Sequence, residues 1–193
     1  LQAALDFSFR RAGKLVLQTD HAALTQAAKL CVLKRQYGCD VRVITFAEAV
    51  KIEPALNHLK NEYAGAIYSE NDEVGDSLAF TTELGRWLSM NRDVEFKLNT
   101  TVQRIITRAG KLAAVETDQG SLKADAVVVC LGAWSNQVLN PLGIRTNIYP
   151  MRGYSVTLPA IETSSSVSIT DPGCKIVFSR LGDTMRIAGF ADF

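Results

Sequence analysis

Residues 124–159, ADAVVVCLGAWSNQVLNPLGIRTNIYPMRGYSVTLP, constrain the fold more than any other stretch. Ala126–Leu131 is a continuous apolar run of strand length, rich in valine and stopped by Gly132, a pattern that suits a strand covered on both faces. A buried strand ending in glycine can let a ligand approach the backbone; an ordinary core strand closed by a turn has the same spacing. Trp134–Leu139 reads as a short helix ended by Asn140, Pro141 and Gly143, and Ile148–Leu158 as a second β-rich run broken by Pro150 and Gly153. The chain leaves one sheet here and enters another.

The flanks supply both sheets. Upstream, residues 14–17 (KLVL) form a strand, and Thr19 or Asp20 caps a helix to about Tyr37 whose Leu24, Ala27, Ala28 and Cys31 share one apolar face. Val41–Ile44 is a brief strand, Thr45 and Glu48 make a capping box for a helix that Pro54 ends, and Tyr63–Ser69 is a strand in which Gly65 marks a bend or a close approach. Asp76 caps a helix over Ser77–Met90 with Phe80, Leu84, Trp87 and Leu88 on one face. Alternation at Val94, Phe96 and Leu98, then Val102–Thr107 and Lys111–Thr117 with Ala109-Gly110 and Gln119-Gly120 as turns, predicts a β-meander. Beyond residue 144 the runs 148–158, 167–170, 175–180 and 184–188 predict an antiparallel sheet. The fold class is mixed α/β (α+β), divided as 1–92, 93–143 and 144–193.

Several function classes are disfavoured. A net charge of +1 without blocks of like charge offers nothing to a nucleic-acid backbone. No apolar run approaches the roughly 18 residues that span a bilayer. The four cysteines lack CxxC spacing and the two histidines, His21 and His58, stand alone, so no zinc site is expected. Reduced thiols in a cytoplasmic protein are the expectation, with Cys31 and Cys130 in the core. Glu70, Asp72, Glu73 and Asp76 crowd into ENDEVGD but miss the ligand register of a calcium loop. No Ser/His/Asp arrangement supports a hydrolase.

VVVCLGAWS and IYPMRGYSVTLP, with IEPAL (52–56), ENDEVGD (70–76), NTTVQRI (99–105) and SRLGDTMRIAGFAD (179–192), occur in an order that resembles the FAD-dependent amino acid oxidase family, most closely the flavin-bearing small subunit of its bacterial D-amino acid dehydrogenases. That resemblance implies a partial FAD-binding domain, made of the meander and a terminal parallel strand, and an antiparallel-sheet substrate domain. It implies oxidative deamination of D-amino acids such as D-alanine to 2-oxo acids and ammonia, with electrons passing to a membrane quinone at the cytoplasmic face of the inner membrane. Val102 matches the position whose backbone meets the adenine of FAD, and Gly132 and Ala133 match the turn near the adenosine and pyrophosphate. A substrate carboxylate calls for arginine. Arg152, Arg180 and Arg186 belong to the inferred substrate sheet, with Arg152 the first choice and Tyr154 and Tyr149 as hydroxyl partners; no catalytic acid or base is assigned. The 193 residues contain no GxGxxG. The chain is therefore expected to be an internal piece of a longer enzyme, inactive and a poor FAD binder by itself. The alternatives are a sarcosine- or glycine-oxidase-like flavoenzyme and a non-catalytic ligand-binding module.

Overall fold

A computed structural model describes residues 4–59 and 62–192. The chain divides into two compact units, residues 1–92 with 153–192, and residues 93–152.

The larger unit begins with β1 (Arg10–Arg11), β2 (Lys14–Gln18), α1 (His21–Gln36), β3 (Arg42–Thr45), α2 (Phe46–Ile52), a 3-10 helix (Pro54–Leu59), β4 (Gly65–Ser69), β5 (Glu73–Val74) and α3 (Ser77–Asn91). Local chemistry fixes the helix starts. Asp20 Oδ1 accepts from Ala23 N–H at 2.7 Å and Asp76 Oδ1 from Ala79 N–H at 2.9 Å, satisfying donors that a first turn leaves open. Thr45 and Glu48 close a reciprocal capping box on α2, and the Thr45 bonds hold the exposed Glu48 carboxyl below its ordinary range. Gly65 allows the approach that its position suggested, since a Cβ there would lie 2.6 Å from the Ile44 carbonyl oxygen.

The smaller unit holds β6 (Val102–Arg108), β7 (Lys111–Thr117), β8 (Gly120–Leu122) and α4 (Ser135–Leu139). The first three form an antiparallel sheet in sequence order. The chain then returns to the larger unit through β9 (Arg152–Pro159), β10 (Ser168–Asp171), β11 (Ile176–Leu181) and β12 (Thr184–Asp192). These last four join the earlier strands in one seven-stranded sheet, ordered β3-β4-β2-β10-β11-β12-β9, while β1 and β5 pair separately. Strands near residues 14–17, 63–69 and 152–159 thus share a sheet. That sheet is mixed rather than purely antiparallel, because β2 and β10 run parallel.

Alternation along β2 explains the core. Leu15 and Leu17 point to the face covered by α2 and the 3-10 helix, with Ile44, Ala49, Leu56, Ala66 and Ile169; Val16 points to the other face, where Cys31 and Ala27 of α1 pack with Val41 and Ile67. Glu53, only 3% exposed, is the main polar tie inside this core. Its Oε2 accepts from Ser166 N–H (2.7 Å), Ser166 Oγ (3.0 Å) and Val167 N–H (3.0 Å), and its Oε1 from Ala55 N–H at 3.1 Å. A carboxylate with this many donors needs no cation.

Three strand expectations are corrected. Ala126–Leu131 has no ladder, and Val128 is 86% exposed. The run has the composition of a doubly covered strand, but no strand among the described residues pairs with it, and a buried-strand pattern without partners stays extended and open. Cys130 is accordingly exposed, as are Cys39 and Cys174, and only Cys31 is buried. Val94–Leu98 is likewise unpaired, so the meander starts at β6. The run expected over Ile148–Leu158 becomes a strand only from Arg152. Upstream of it, Asn136 on α4 holds Thr146 by three hydrogen bonds of 2.8–3.1 Å, within the smaller unit.

Candidate functional site

In the smaller unit, Val102 opens β6, an edge strand whose only ladder partner among the described residues is β7. Ladder pairs Val102↔Thr117 and Arg104↔Glu116 leave one extra residue on β6, a bulge directly after Val102 that bends this edge. Val102 and Leu131 line one apolar hollow of about 220 Å³ with Ile105, Val115 and Val138. Gly132 and Ala133 follow Leu131 in a 3-10 turn that leads into α4. Gly132 has φ +53°, and nothing lies within 4 Å of where its Cβ would be. The three expected cofactor positions are thus on neighbouring segments, each offering backbone rather than side chain. Val102 thus lies on a strand edge and Gly132 in an uncovered turn, both with backbone open to a ligand. The sequence contains no GxGxxG loop to bring converging N–H groups to the two phosphates.

In the larger unit, concavities lie against the seven-stranded sheet. One, of about 620 Å³, lies over β9, β11 and β12 and is lined by Tyr154, Ser155, Lys175, Arg186 and Phe190, with Gly153 and Gly189. Gly189 lets β12 lie close to the neighbouring strand: a Cβ there would lie 2.7 Å from the Lys175 carbonyl oxygen. Arg186 Nη2 donates to Ser155 Oγ at 3.1 Å, and Tyr154 Oη donates to Asp192 Oδ2 at 2.8 Å. Of the expected substrate residues, Tyr154 lines this concavity. Arg152, two residues earlier on β9, is exposed and Tyr149 lies before the strand, 75% exposed; neither lines it. Arg180 donates its Nε–H to the Gly182 carbonyl at 3.2 Å and is spent on its own turn.

The second concavity, about 690 Å³ and mostly apolar, is lined by Leu56, Leu59, Leu158, Ile169, Phe178 and Ile187, among others, with Tyr63, Asp171 and Cys174 as its polar corner. Tyr63 Oη donates to Asp171 Oδ2 at 2.6 Å, and Asp171 Oδ1 accepts from Gly173 N–H (2.9 Å) and Cys174 N–H (3.1 Å). Burial by itself would raise the Asp171 carboxyl; the bonds from Tyr63, Cys174 and Gly173 overcome it and hold the group below its ordinary range. Burial, then the carboxylate, push the Tyr63 hydroxyl well up, and Asp171 pushes up the Cys174 thiol. The sequence carries a signal for this corner: Asp171 opens Asp171-Pro172-Gly173, and an aspartate opening a turn caps the following N–H groups. Its bond to Tyr63, 108 residues away, has no local signal.

Among the described residues no group of three or more His, Cys, Asp or Glu is placed to hold a metal ion, and no helix is long and apolar enough to cross a membrane.

The chain is 34% identical to D-amino acid dehydrogenase of Bradyrhizobium diazoefficiens over 190 residues, which is 97% of the chain and 45% of that protein. It is 34% identical to D-amino acid dehydrogenase of Vibrio cholerae serotype O1 over 191 residues, 98% of the chain and again 45% of the relative. The chain therefore spans less than half the length of these relatives. Among solved structures, glycine oxidase from Geobacillus kaustophilus superposes with a TM-score of 0.86 at 20% identity, covering 97% of this chain and 50% of the other. L-proline dehydrogenase from P. horikoshii gives 0.81 at 21% identity, covering 96% and 50%. At such identities these two likenesses show the fold. All of residues 1–193 match one family description, DAO: FAD dependent oxidoreductase, and the chain belongs to that family.

Proposed function

We propose that the protein of which these residues are part is an FAD-dependent dehydrogenase that converts D-amino acids with small apolar side chains, such as D-alanine, to 2-oxo acids and ammonia. The observation that carries this reading is the 34% identity to D-amino acid dehydrogenases sustained over 97% of the chain. Bound FAD would supply the two-electron acceptor for the hydride leaving the substrate Cα. The residues here contribute binding and orientation. The β9–β11–β12 concavity receives the amino acid, with Tyr154 at its wall and Gly153 and Gly189 leaving room for the Cα. Val102, Gly132 and Ala133 hold the adenosine end of the cofactor through backbone groups. Loss of the Cα hydride and a nitrogen proton leaves an imino acid, and water then releases ammonia and the 2-oxo acid.

Electrons pass to a membrane quinone at the cytoplasmic face of the inner membrane rather than to oxygen; the curated relatives being named dehydrogenases supports this. The test is to purify the full-length protein and assay it with D-alanine and an artificial electron acceptor. The expected result is bound flavin, pyruvate and ammonia in equal amounts, and little peroxide in air. A protein without flavin, or one active only on L-amino acids, would overturn the proposal. Vigorous peroxide production would overturn the assignment of the acceptor.

A further inference from the structure

The helix α1 is apolar on two faces. Ala27 and Cys31 pack inward with Val16, Val41 and Ile67. Leu30, Leu33 and Tyr37, spaced i, i+3 and i+7, share a different face, with both leucines half-exposed and Tyr37 81% exposed. One apolar face is enough to seat a helix on its sheet, and a second one left in water marks a surface that another body covers. Helical periodicity sets Lys29 and Lys34 on either side of this outward stripe, and both are exposed.

Charge around the stripe is one-sided. From His21 to Cys39 there are three cations, Lys29, Lys34 and Arg35, and no acid, in a chain whose net charge is only +1. The acids that flank this stretch are occupied: Asp20 caps the Ala23 N–H, and Asp40 Oδ2 accepts from Asn71 Nδ2 at 2.8 Å. None of the ion pairs among the described residues includes a cation of α1, and Arg35 directs its Nε–H to the Val41 carbonyl at 2.7 Å. An apolar stripe edged by lysines suits a surface that is apolar beneath and negative at its boundary, as an anionic phospholipid leaflet is. Leucines enter the acyl boundary, a tyrosine sits at headgroup level, and lysine stems lie along the apolar region with their ammonium groups at the phosphates. A second copy docked through the same face would set these cations against their own counterparts, with no acid between them.

We propose that the outward face of α1, with Leu30, Leu33 and Tyr37 at its centre and Lys29 and Lys34 at its edges, docks the protein reversibly on an anionic phospholipid surface. Such docking brings the enzyme to the layer in which the proposed quinone acceptor dissolves, and in that respect it rests on that reading; the docking itself needs only α1. The test measures co-sedimentation of the full-length protein with vesicles of phosphatidylglycerol in phosphatidylcholine and with vesicles of phosphatidylcholine alone, beside D-alanine oxidation with a soluble acceptor. Wild-type protein should bind the anionic vesicles at least about 10-fold more tightly than the neutral ones, and less tightly as salt rises. Each lysine near an anionic surface contributes roughly 5-fold, so Lys29→Gln/Lys34→Gln should weaken binding about 25-fold. Leu30→Gln/Leu33→Gln should remove most of the binding to either vesicle. Both variants should keep the wild-type melting temperature and soluble-acceptor activity. Arg86→Gln on α3, whose side chain pairs with Glu83, should bind vesicles as wild type does. Wild-type protein left in the supernatant, or undiminished binding by Lys29→Gln/Lys34→Gln, would overturn the proposal. So would a dimer that Leu30→Gln/Leu33→Gln converts to a monomer, or a marked loss of stability in that variant, since a second copy or another part of the protein would then cover the stripe. Vesicle binding by a protein that reduces oxygen rather than a quinone would leave the docking standing and overturn the assigned acceptor. Activity on D-alanine without vesicle binding would leave the proposed reaction standing and overturn the docking.

Discussion

The two units hold their apolar residues in opposite ways. In the larger unit the buried set includes Leu15, Leu17, Ile44, Ala49, Leu56, Ala66 and Ile169, closed by α1 on one face and by α2 on the other. In the smaller unit Val138 is the buried hydrophobic residue, while Val127, Val128 and Leu131 stay exposed beside the three-stranded sheet. Burial contributes about 25 cal/mol per Å² of apolar surface, so the first unit carries most of the stabilisation within these residues. The unit with the core carries the two larger concavities, and the unit with open backbone carries the positions proposed to meet FAD.

This contrast can be broken, most severely at Glu53. Replacing it with alanine leaves the N–H groups of Ala55, Ser166 and Val167 without their acceptor, and a loss of about 3–5 kcal/mol is expected in chemical denaturation. Leu15→Ala, at a fully buried position, should cost about 2–5 kcal/mol. Tyr63→Phe removes one short bond to a buried carboxylate and should cost about 1.5–3 kcal/mol. Its pH dependence has a fixed sign. Asp171 is held low, so its contribution is complete above the ordinary carboxylate range and is lost as pH falls through its folded value; Tyr63 is held high, so its contribution is complete below the ordinary tyrosine range and is lost only as pH rises through its own. Stability lost on acidification should thus be smaller in Tyr63→Phe than in the parent. Thr45→Ala should cost about 1 kcal/mol through the capping box. Val128→Ala, by contrast, should stay within about 0.5 kcal/mol; a loss like that of Leu15→Ala would show that the open segment is packed after all.

The same contrast explains what was legible in the sequence. Helix starts at Asp20, Thr45 and Asp76 are local devices, and all three caps form as their residues indicate. The strand at Ala126–Leu131 was read from a pattern whose meaning depends on neighbours, and the described residues do not supply them. Glu53 was read only as part of a motif, because its donors lie 113 residues or more away at Ser166 and Val167. Among Arg152, Arg180 and Arg186 the sequence favours Arg152; the adjacency of β9, β12 and β11 instead brings Arg186 and Tyr154 to one concavity.

We propose that these residues hold the substrate side and only the adenosine end of the cofactor site. Titrating the 193-residue chain with FAD while following flavin fluorescence tests this most directly. Without converging donors for the two phosphates, several charged hydrogen bonds of roughly 1.5–3 kcal/mol each are missing, and the predicted dissociation constant is on the order of millimolar or weaker, beside a full-length protein that retains flavin through purification. Micromolar or tighter binding by the chain alone would contradict the account.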